Sequence, residues 1–166
     1  MNGTPQQEIV VGVSGSRASV AALRWAADEA ERRRARLSAI CAWDSSLRPA
    51  PYAEVSEGPP DAGAPGVQAG RLAAAIRAAF GAAWPTSLRT ELAEGMPERV
   101  LVTRSAAADL LVLGTARQQD IAGRSVGPVI RTCLVRSRCP VVVVSAAAGQ
   151  DAGQPQAGPR ESALAG

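Results

Sequence analysis

A loop containing several glycines is the part of this chain whose residues are best suited to bind a ligand. It follows the apolar run 110–113 and leads into a segment with helical spacing of apolar residues. Three glycines lie in it, Gly114, Gly123 and Gly127. Glycines at such a strand-to-helix junction let backbone N–H groups approach a phosphate at the positive end of a helix. Arg117 and Pro128 would obstruct that approach, so the loop predicts a phosphate site that is only partly retained.

The chemistry open to the chain is limited by two missing residue types. It contains no histidine, and all 18 of its basic side chains are arginine. Histidine triads, histidine-ligated zinc, Schiff-base lysines and the P-loop lysine are therefore excluded. Because Ser14, Ser16 and Ser125 have no base to activate them, we predict no catalytic residues and no enzyme activity.

The cysteines do not form a metal motif. Cys41, Cys133 and Cys139 are odd in number and lack the spacing of metal ligands. We interpret them as reduced, mostly buried thiols, with a redox role as the alternative, and we predict no metal site.

Length and composition indicate one globular domain. The chain has 166 residues, of which 46% are hydrophobic and only 3% aromatic, so Val, Leu, Ile and Ala must build the core. There is no apolar run of about 18 residues, which excludes a membrane-spanning helix. The first residues have no basic region followed by an apolar one, so no secretory signal is visible and we expect a cytoplasmic protein.

The net charge of +3 raises the question of nucleic-acid binding. Its best support is the cluster Arg32, Arg33 and Arg34, which closes a predicted helix whose earlier turns are acidic. Cations at a helix C-terminus are favoured by the helix dipole without any ligand, and no aromatic stacking platform accompanies them. Nucleic-acid binding is therefore the less favoured interpretation.

Apolar periodicity predicts five strands alternating with helices. The strands are predicted at 9–13, 37–43, 86–92, 110–113 and 141–144, and the helices at 19–34, around 72–80, at 97–107 and at 126–134. Residues 1–7 are predicted to be a flexible N-terminus, 45–66 an irregular Pro/Gly-rich insertion, and 146–166 a disordered tail. This pattern predicts an α/β fold, a single domain over 8–145 with an open parallel five-stranded sheet and helices on both faces. Ligands in such sheets bind beyond the carboxyl ends of the strands, which draws attention to the turn after the first strand and the loop after the fourth.

Four segments resemble the universal stress protein family in their order along one domain. They are I-V-V-G-V-S-G-S at 9–16, A-L-R-W-A-A-D-E-A at 22–30, A-D-L-L-V-L-G at 108–114 and R-C-P-V-V-V-V at 138–144. The resemblance covers about residues 8–145. It implies a Rossmann-like fold of the adenine nucleotide alpha hydrolase-like kind, in agreement with the pattern of strands and helices.

The resemblance also implies a nucleotide site, because some members of the family bind ATP. Their pattern has an aspartate after the first strand, then glycine, two residues, glycine, nine residues, glycine and a hydroxyl residue after the fourth. Here Gly114 and Gly127 match the first and last glycines, while Ser14, Arg117 and Pro128 stand at the other three positions. Ser14 loses an anionic acceptor, Arg117 adds a long side chain, and Pro128 removes a hydroxyl and a backbone N–H.

Carried over from the family, the pocket lining consists of Gly12, Val13, Ser14, Ala42, Leu113, Gly114, Thr115, Arg117, Gly127, Pro128 and Val129. Ala42 and Leu113 are apolar and suited to flank an adenine, so the nucleoside half is less damaged than the phosphate half. We expect a shallow or partly filled cleft with Arg117 across its phosphate end. This predicts a stress-response regulatory module with weak or lost ATP binding, and the alternative is a member that binds ATP or AMP.

Three alternatives remain open at this site. Arg117 and Arg124 are solvated loop residues, or they contact phosphates through their side chains. Pro128 is a substituted ligand-binding residue, or simply the start of a helix. Gly114 and Gly127 are glycine because a ligand binds there, or only because the backbone conformation requires it.

The resemblance further implies a homodimer formed through the last strand. Residues 141–144 are four uncharged valines, and such a strand at a sheet edge promotes aggregation unless it is covered. The alternative is that the tail covers this edge.

Overall fold

A parallel sheet with helices on both faces forms the framework of the protein. The computed structural model describes residues 6–44, 65–116 and 126–146. The elements are β1 (Glu8–Gly12), α1 (Arg17–Arg33), β2 (Arg36–Trp43), α2 (Pro65–Phe80), β3 (Leu88–Glu94), α3 (Pro97–Ser105), β4 (Leu110–Thr115), α4 (Pro128–Arg136) and β5 (Val141–Ser145). All strand pairs are parallel, in the order β3-β2-β1-β4-β5. The predicted five-stranded α/β fold is confirmed.

The predicted elements differ from the observed ones mainly at their ends. Helix α2 begins at Pro65, inside the segment predicted to be irregular, because proline is well suited to a first helical turn. Strand β3 lies two residues later than predicted. The N-terminus at 1–5, the remainder of the insertion at 45–64 and the tail at 147–166 lie outside the described residues, so the predictions for those segments stay predictions.

Two apolar layers hold the helices against the sheet. Successive strand side chains point to opposite faces, so Ile9 and Val11 of β1 pack with α1 and α2, while Val10 packs with α3 and α4. We call these the first face and the second face. Leu23 and Leu37 are fully buried on the first face, and the strands are built from Val, Ile, Leu and Ala as the composition predicts.

Helix α1 has a defined start and end. The Ser16 hydroxyl accepts a hydrogen bond from the Ser19 N–H at 3.2 Å, which caps the N-terminus. Arg34 adopts a left-handed conformation with φ of 53° and closes the C-terminus through its backbone N–H. In the last turns Glu29 pairs with both Arg32 and Arg33, and these hydrogen bonds lower the pKa of the Glu29 carboxyl. Two arginines of the basic cluster therefore have a carboxylate partner within the helix.

None of the helices in the described ranges has the length and apolar character needed to cross a bilayer.

Candidate functional site

A cavity of about 520 Å³ lies where the carboxyl ends of β1, β2 and β4 meet. Since β1 lies between β2 and β4, this is the place where the strand order reverses direction, which is where open parallel sheets bind ligands. Ligand pockets typically measure roughly 300–1,000 Å³. The described residues thus leave a space of ligand size, and the expectation of a shallow or partly filled cleft stays a prediction, because Arg117 lies outside the described residues.

Most of the residues predicted to form the site surround this cavity. Those that line it are Gly12, Val13, Ser14, Ala42, Leu113, Gly114, Gly127, Pro128 and Val129. Thr115 does not, because it is buried beyond Gly114 at the end of β4. Arg117 and the predictions made for it lie outside the described residues, as does Arg124. The structure therefore brings together the turn after the first strand and the start of the last helix, as the sequence predicted.

The cavity has two chemically different walls. Residues on the first-face side form what we call the polar wall, which consists of Ser14, Ser19, Cys41, Gln68 and Arg71. Residues of the second face form the apolar wall, which consists of Ile40, Leu101, Leu113, Val129 and Ile130. A ligand that fits both walls has one flat or apolar part and one polar or charged part.

The serines of the polar wall are organised by the start of α1. The Ser14 and Ser16 hydroxyl oxygens lie 3.0 Å apart, and the Ser19 hydroxyl donates to the Ser16 carbonyl at 2.8 Å. Ser19 is buried, whereas Ser14 is exposed on the turn that follows β1. Because a hydroxyl has one donor and two acceptor positions, Ser14 retains hydrogen-bonding capacity for a ligand.

The thiol of the polar wall is not suited to act as a nucleophile. The Cys41 Sγ donates to Oε1 of Gln68 at 3.8 Å. Burial raises the pKa of the Cys41 thiol, and the positive charge of Arg71 opposes that effect. The neutral thiol therefore predominates near pH ~7, and a thiolate is needed for nucleophilic attack.

Few of the described residues at this site are suited to acid–base or metal chemistry. Within 6–44, 65–116 and 126–146, no group of three or more Cys, Asp or Glu side chains is arranged to hold a metal ion. Of the cavity-lining residues that are described, Arg71 is the basic one and Asp44 the acidic one, and Asp44 has an interaction partner of its own. Apart from these two, Cys41 is the ionisable side chain among the described lining residues.

The two glycines kept from the nucleotide pattern have different reasons to be glycine. A Cβ on Gly114 would overlap the carbonyl of Ala18 and crowd the Ser19 N–H, so this position must be glycine for α1 to pack on β4. At Gly127 φ is −54°, and no described atom lies within 4 Å of where a Cβ would be. Packing alone explains why residue 114 must be glycine. At position 127 packing does not require a glycine, and the missing side chain leaves open space at the cavity.

Pro128 is the first residue of α4, with Gly127 as the N-cap and no side-chain cap. The interpretation of Pro128 as a helix start therefore holds. Its ring nonetheless lines the cavity, where the missing N–H and hydroxyl reduce the capacity of this helix end to bind an anion.

Sequence reasoning missed several cavity residues, among them Trp43, Asp44, Gln68 and Arg71. Trp43 and Asp44 end or follow β2, which neighbours β1, so the rule about the carboxyl ends of strands could have found them. Gln68 and Arg71 come from the first turns of α2, inside or next to a segment that was predicted to be irregular. No local pattern indicated that this helix would cover the cavity.

Comparison with known proteins identifies the family. A model of the universal stress protein family matches residues 6–145. One universal stress protein of Mycobacterium tuberculosis is 37% identical over 142 residues, covering 84% of this chain and 46% of the relative. Another from the same organism is 32% identical over 143 residues, covering 84% of this chain and 49% of the relative. The chain thus spans about half the length of these curated relatives.

Solved structures show the same architecture. A universal stress protein in complex with cAMP is 28% identical, with a TM-score of 0.55, and the match covers 85% of this chain and 98% of that one. A universal stress protein from Lactobacillus plantarum is 23% identical, with a TM-score of 0.57 over 86% of this chain and 99% of that one, a likeness of fold. The four sequence segments, the sheet order and the family match agree, and the chain belongs to the universal stress protein family.

Proposed function

We propose that this protein is a non-catalytic regulatory module of the stress response whose cavity binds adenosine or a short adenine nucleotide and binds ATP weakly. The observation that carries the proposal is the open cavity at the switch point, with one apolar and one polar wall. The alternative is a member of the family that binds ATP with full affinity.

The apolar wall supports an adenine ligand. Leu113 and Val129 lie on the side where a flat base would pack, and Ala42 adds a small side chain from β2. Aliphatic side chains contact an aromatic ring without requiring hydrogen bonds. A relative that is 28% identical was solved in complex with cAMP, an adenine nucleotide, which supports the same ligand class here.

Weak binding of ATP is supported at the start of α4. Pro128 has no N–H to offer at the helix N-terminus, and Gly127 has no side chain to cap it. Arg117 is a third departure from the ATP-binding pattern, known here from the sequence alone. Each lost charge-assisted or backbone hydrogen bond to a phosphate costs roughly 1–3 kcal/mol.

A homodimer is part of the proposal, and the position of β5 supports it. This strand of valines pairs with β4 and lies at the edge of the sheet. On the adjacent helix α4, Leu134 and Val135 are 52% and 79% exposed, which adds apolar surface next to that edge. Pairing with a second copy would cover both features, and the tail remains the alternative cover.

Isothermal titration calorimetry on the full chain tests the ligand class, with adenosine, AMP and ATP with Mg²⁺ as titrants. We expect adenosine and AMP to bind more tightly than ATP, and ATP to have a Kd above about 10 μM. A tighter ATP complex would support the alternative. If neither adenosine nor AMP binds, the proposal is wrong.

A matched pair of glycine variants locates the binding site. Gly127→Leu adds a side chain to the cavity at a helix-compatible φ, and we expect it to abolish adenosine binding. Gly66→Leu adds the same side chain to α2, where it meets nothing within 4 Å and does not line the cavity. Equal loss of binding in both variants would show that the ligand lies elsewhere.

A further inference from the structure

The Arg71 side chain crosses the turn that follows β1. Its Cβ, Cγ and Cδ lie 3.4, 3.7 and 3.9 Å from where a Cβ on Gly15 would be, so its aliphatic stem runs along Gly15. Gly15 has φ of +82°, a conformation that favours glycine, and it separates Ser14 from Ser16. The stem of Arg71 therefore lies beside the turn that contains Ser14, and both residues line the cavity.

Arg71 forms no ion pair with another described residue, while Asp44, the described acidic residue of the cavity lining, has an interaction partner of its own. The ion pairs of the described ranges involve Arg32, Arg33, Arg36 and Arg104. Arg71 is exposed and lines the cavity, and its charge acts on the Cys41 thiol in the cavity wall. An exposed guanidinium above a cavity is a ready donor for a phosphate or carboxylate group.

The start of α1 adds further positive potential beside the turn that contains Ser14. Its first turn contains no acidic residue and begins with Arg17, which is exposed and has no ion-pair partner in the described part of the chain. The helix dipole itself favours anions at this end. Arg71 and the N-terminus of α1 thus both lie beside the turn that contains Ser14.

Of the described residues, those at the start of α4 offer fewer donors for an anion than the polar wall does. There Gly127 and Pro128 begin α4, and the apolar wall continues with Val129 and Ile130. Among the described lining residues, the basic side chain, Arg71, therefore belongs to the polar wall and not to the start of α4.

We propose that Arg71 binds the single phosphate of an adenosine monophosphate, with the base packed on the apolar wall. This rests on the proposed function and names its specificity-determining residue. The phosphate is carried on the 5′ or the 3′ oxygen of the ribose, since both present the same dianion to a guanidinium.

Calorimetry of the full chain with adenosine, 5′-AMP and 3′-AMP separates this inference from the proposed function. Binding of adenosine reports the base and ribose alone, and the ratio of the adenosine Kd to that of each monophosphate reports the phosphate contact. We expect at least one monophosphate to bind about tenfold more tightly than adenosine, because hydrogen bonds between charged groups are the strong ones. The tighter of the two isomers identifies the ribose oxygen that carries the phosphate.

Arg71→Gln is the test variant, and Arg77→Gln is its matched control. Arg77 lies on the same helix and is exposed, but it does not line the cavity. We expect Arg71→Gln to bring the Kd of the preferred monophosphate to within about threefold of the adenosine Kd, with adenosine itself unchanged, and Arg77→Gln to keep the tenfold preference. Circular dichroism should show both variants folded.

Four outcomes would overturn the inference. If the parent binds adenosine and both monophosphates equally, the phosphate has no partner beside the Ser14 turn, although the proposed function stands. If Arg71→Gln keeps the preference, or Arg77→Gln loses it equally, the effect does not come from Arg71. If neither adenosine nor the monophosphates bind, this inference and the proposed function both fail.

Discussion

Gly114 at the end of β4 lies directly against the backbone carbonyl of Ala18 in the first turn of α1. This contact sets the height of the α1 N-terminus above the sheet, and with it the position of Ser14 and Ser19 at the cavity. The first glycine of the nucleotide pattern is thus required by the fold itself, whether or not a nucleotide binds.

Gly114→Ala is expected to destabilise the protein. The added Cβ would meet backbone atoms of Ala18 and Ser19, which cannot rotate away, so α1 must shift. Such overpacking costs about 1–3 kcal/mol, and a lower midpoint of urea unfolding would reveal it. As a control, Gly127→Ala should change the free energy of unfolding by no more than about 0.5 kcal/mol. Equal effects of the two substitutions would contradict the packing role of Gly114.

Restoring the ATP-binding pattern is expected to raise ATP affinity. The triple variant Ser14→Asp, Arg117→Gly, Pro128→Ser restores an anionic acceptor, a loop position without a side chain, and an N–H with a hydroxyl. We expect a gain of at least about tenfold in affinity for ATP with Mg²⁺, about 1.4 kcal/mol, measured by calorimetry. A triple variant that binds ATP no better than the parent would show that the pocket is wrongly assigned.

Dimer formation is expected to depend on the exposed face of α4 beside β5. Leu134→Glu places a charge in this apolar surface, and we expect it to raise the dimer dissociation constant at least about tenfold in sedimentation equilibrium. Trp84→Glu is a fitting control, since Trp84 is 53% exposed and Leu134 is 52% exposed, but Trp84 precedes the opposite edge strand, β3. A parent that is monomeric at micromolar concentration would rule out this dimer.

Stability at alkaline pH is expected to depend on the thiols. The chain has no lysine and one tyrosine, Tyr52, so few other side chains titrate in this range. Burial raises the pKa of Cys133 from 9.0 to about 11, and burial also raises the pKa of Cys41 and Cys139. Unfolded thiols therefore lose their protons at lower pH than folded ones. The protonated buried thiols contribute fully to stability below the pKa that they have in the unfolded chain. This contribution is lost as the pH rises through the pKa that they have in the folded protein.

The measurement is the urea midpoint as a function of pH. We expect it to fall as the pH rises from 9.0 to about 11, and to fall less steeply in Cys133→Ala, although that variant starts lower because a buried side chain is shortened. Tyr52→Phe is the control for the other titrating side chain. If the urea midpoint of Cys133→Ala falls as steeply with pH as that of the parent, the Cys133 thiol is not the source of the pH dependence.

The sequence by itself was sufficient to determine the fold. Apolar runs such as 110–113, each followed by a segment with helical spacing of apolar residues, show that strands alternate with helices. Strands that alternate with helices and are joined by short connections form a parallel sheet with right-handed crossovers. The same local patterns placed Gly12, Ser14 and Leu113 at the carboxyl ends of strands. A continuous apolar strand is buried by helices on both faces and is typical of a parallel sheet. Because the carboxyl ends of parallel strands lie at the same edge of a sheet, these residues had to meet there.

Only the tertiary structure decided what surrounds these residues. Gln68 and Arg71 belong to α2, which is separated from the first strand by more than fifty residues of sequence, and the packing of α1 against α2 brings them over the Ser14 turn. The reason why Gly114 must be glycine likewise depends on Ala18, a residue of another element. Local periodicity fixes which side of an element is apolar, whereas the shape and charge of a cavity come from elements that are distant in sequence and are set only when the layers pack.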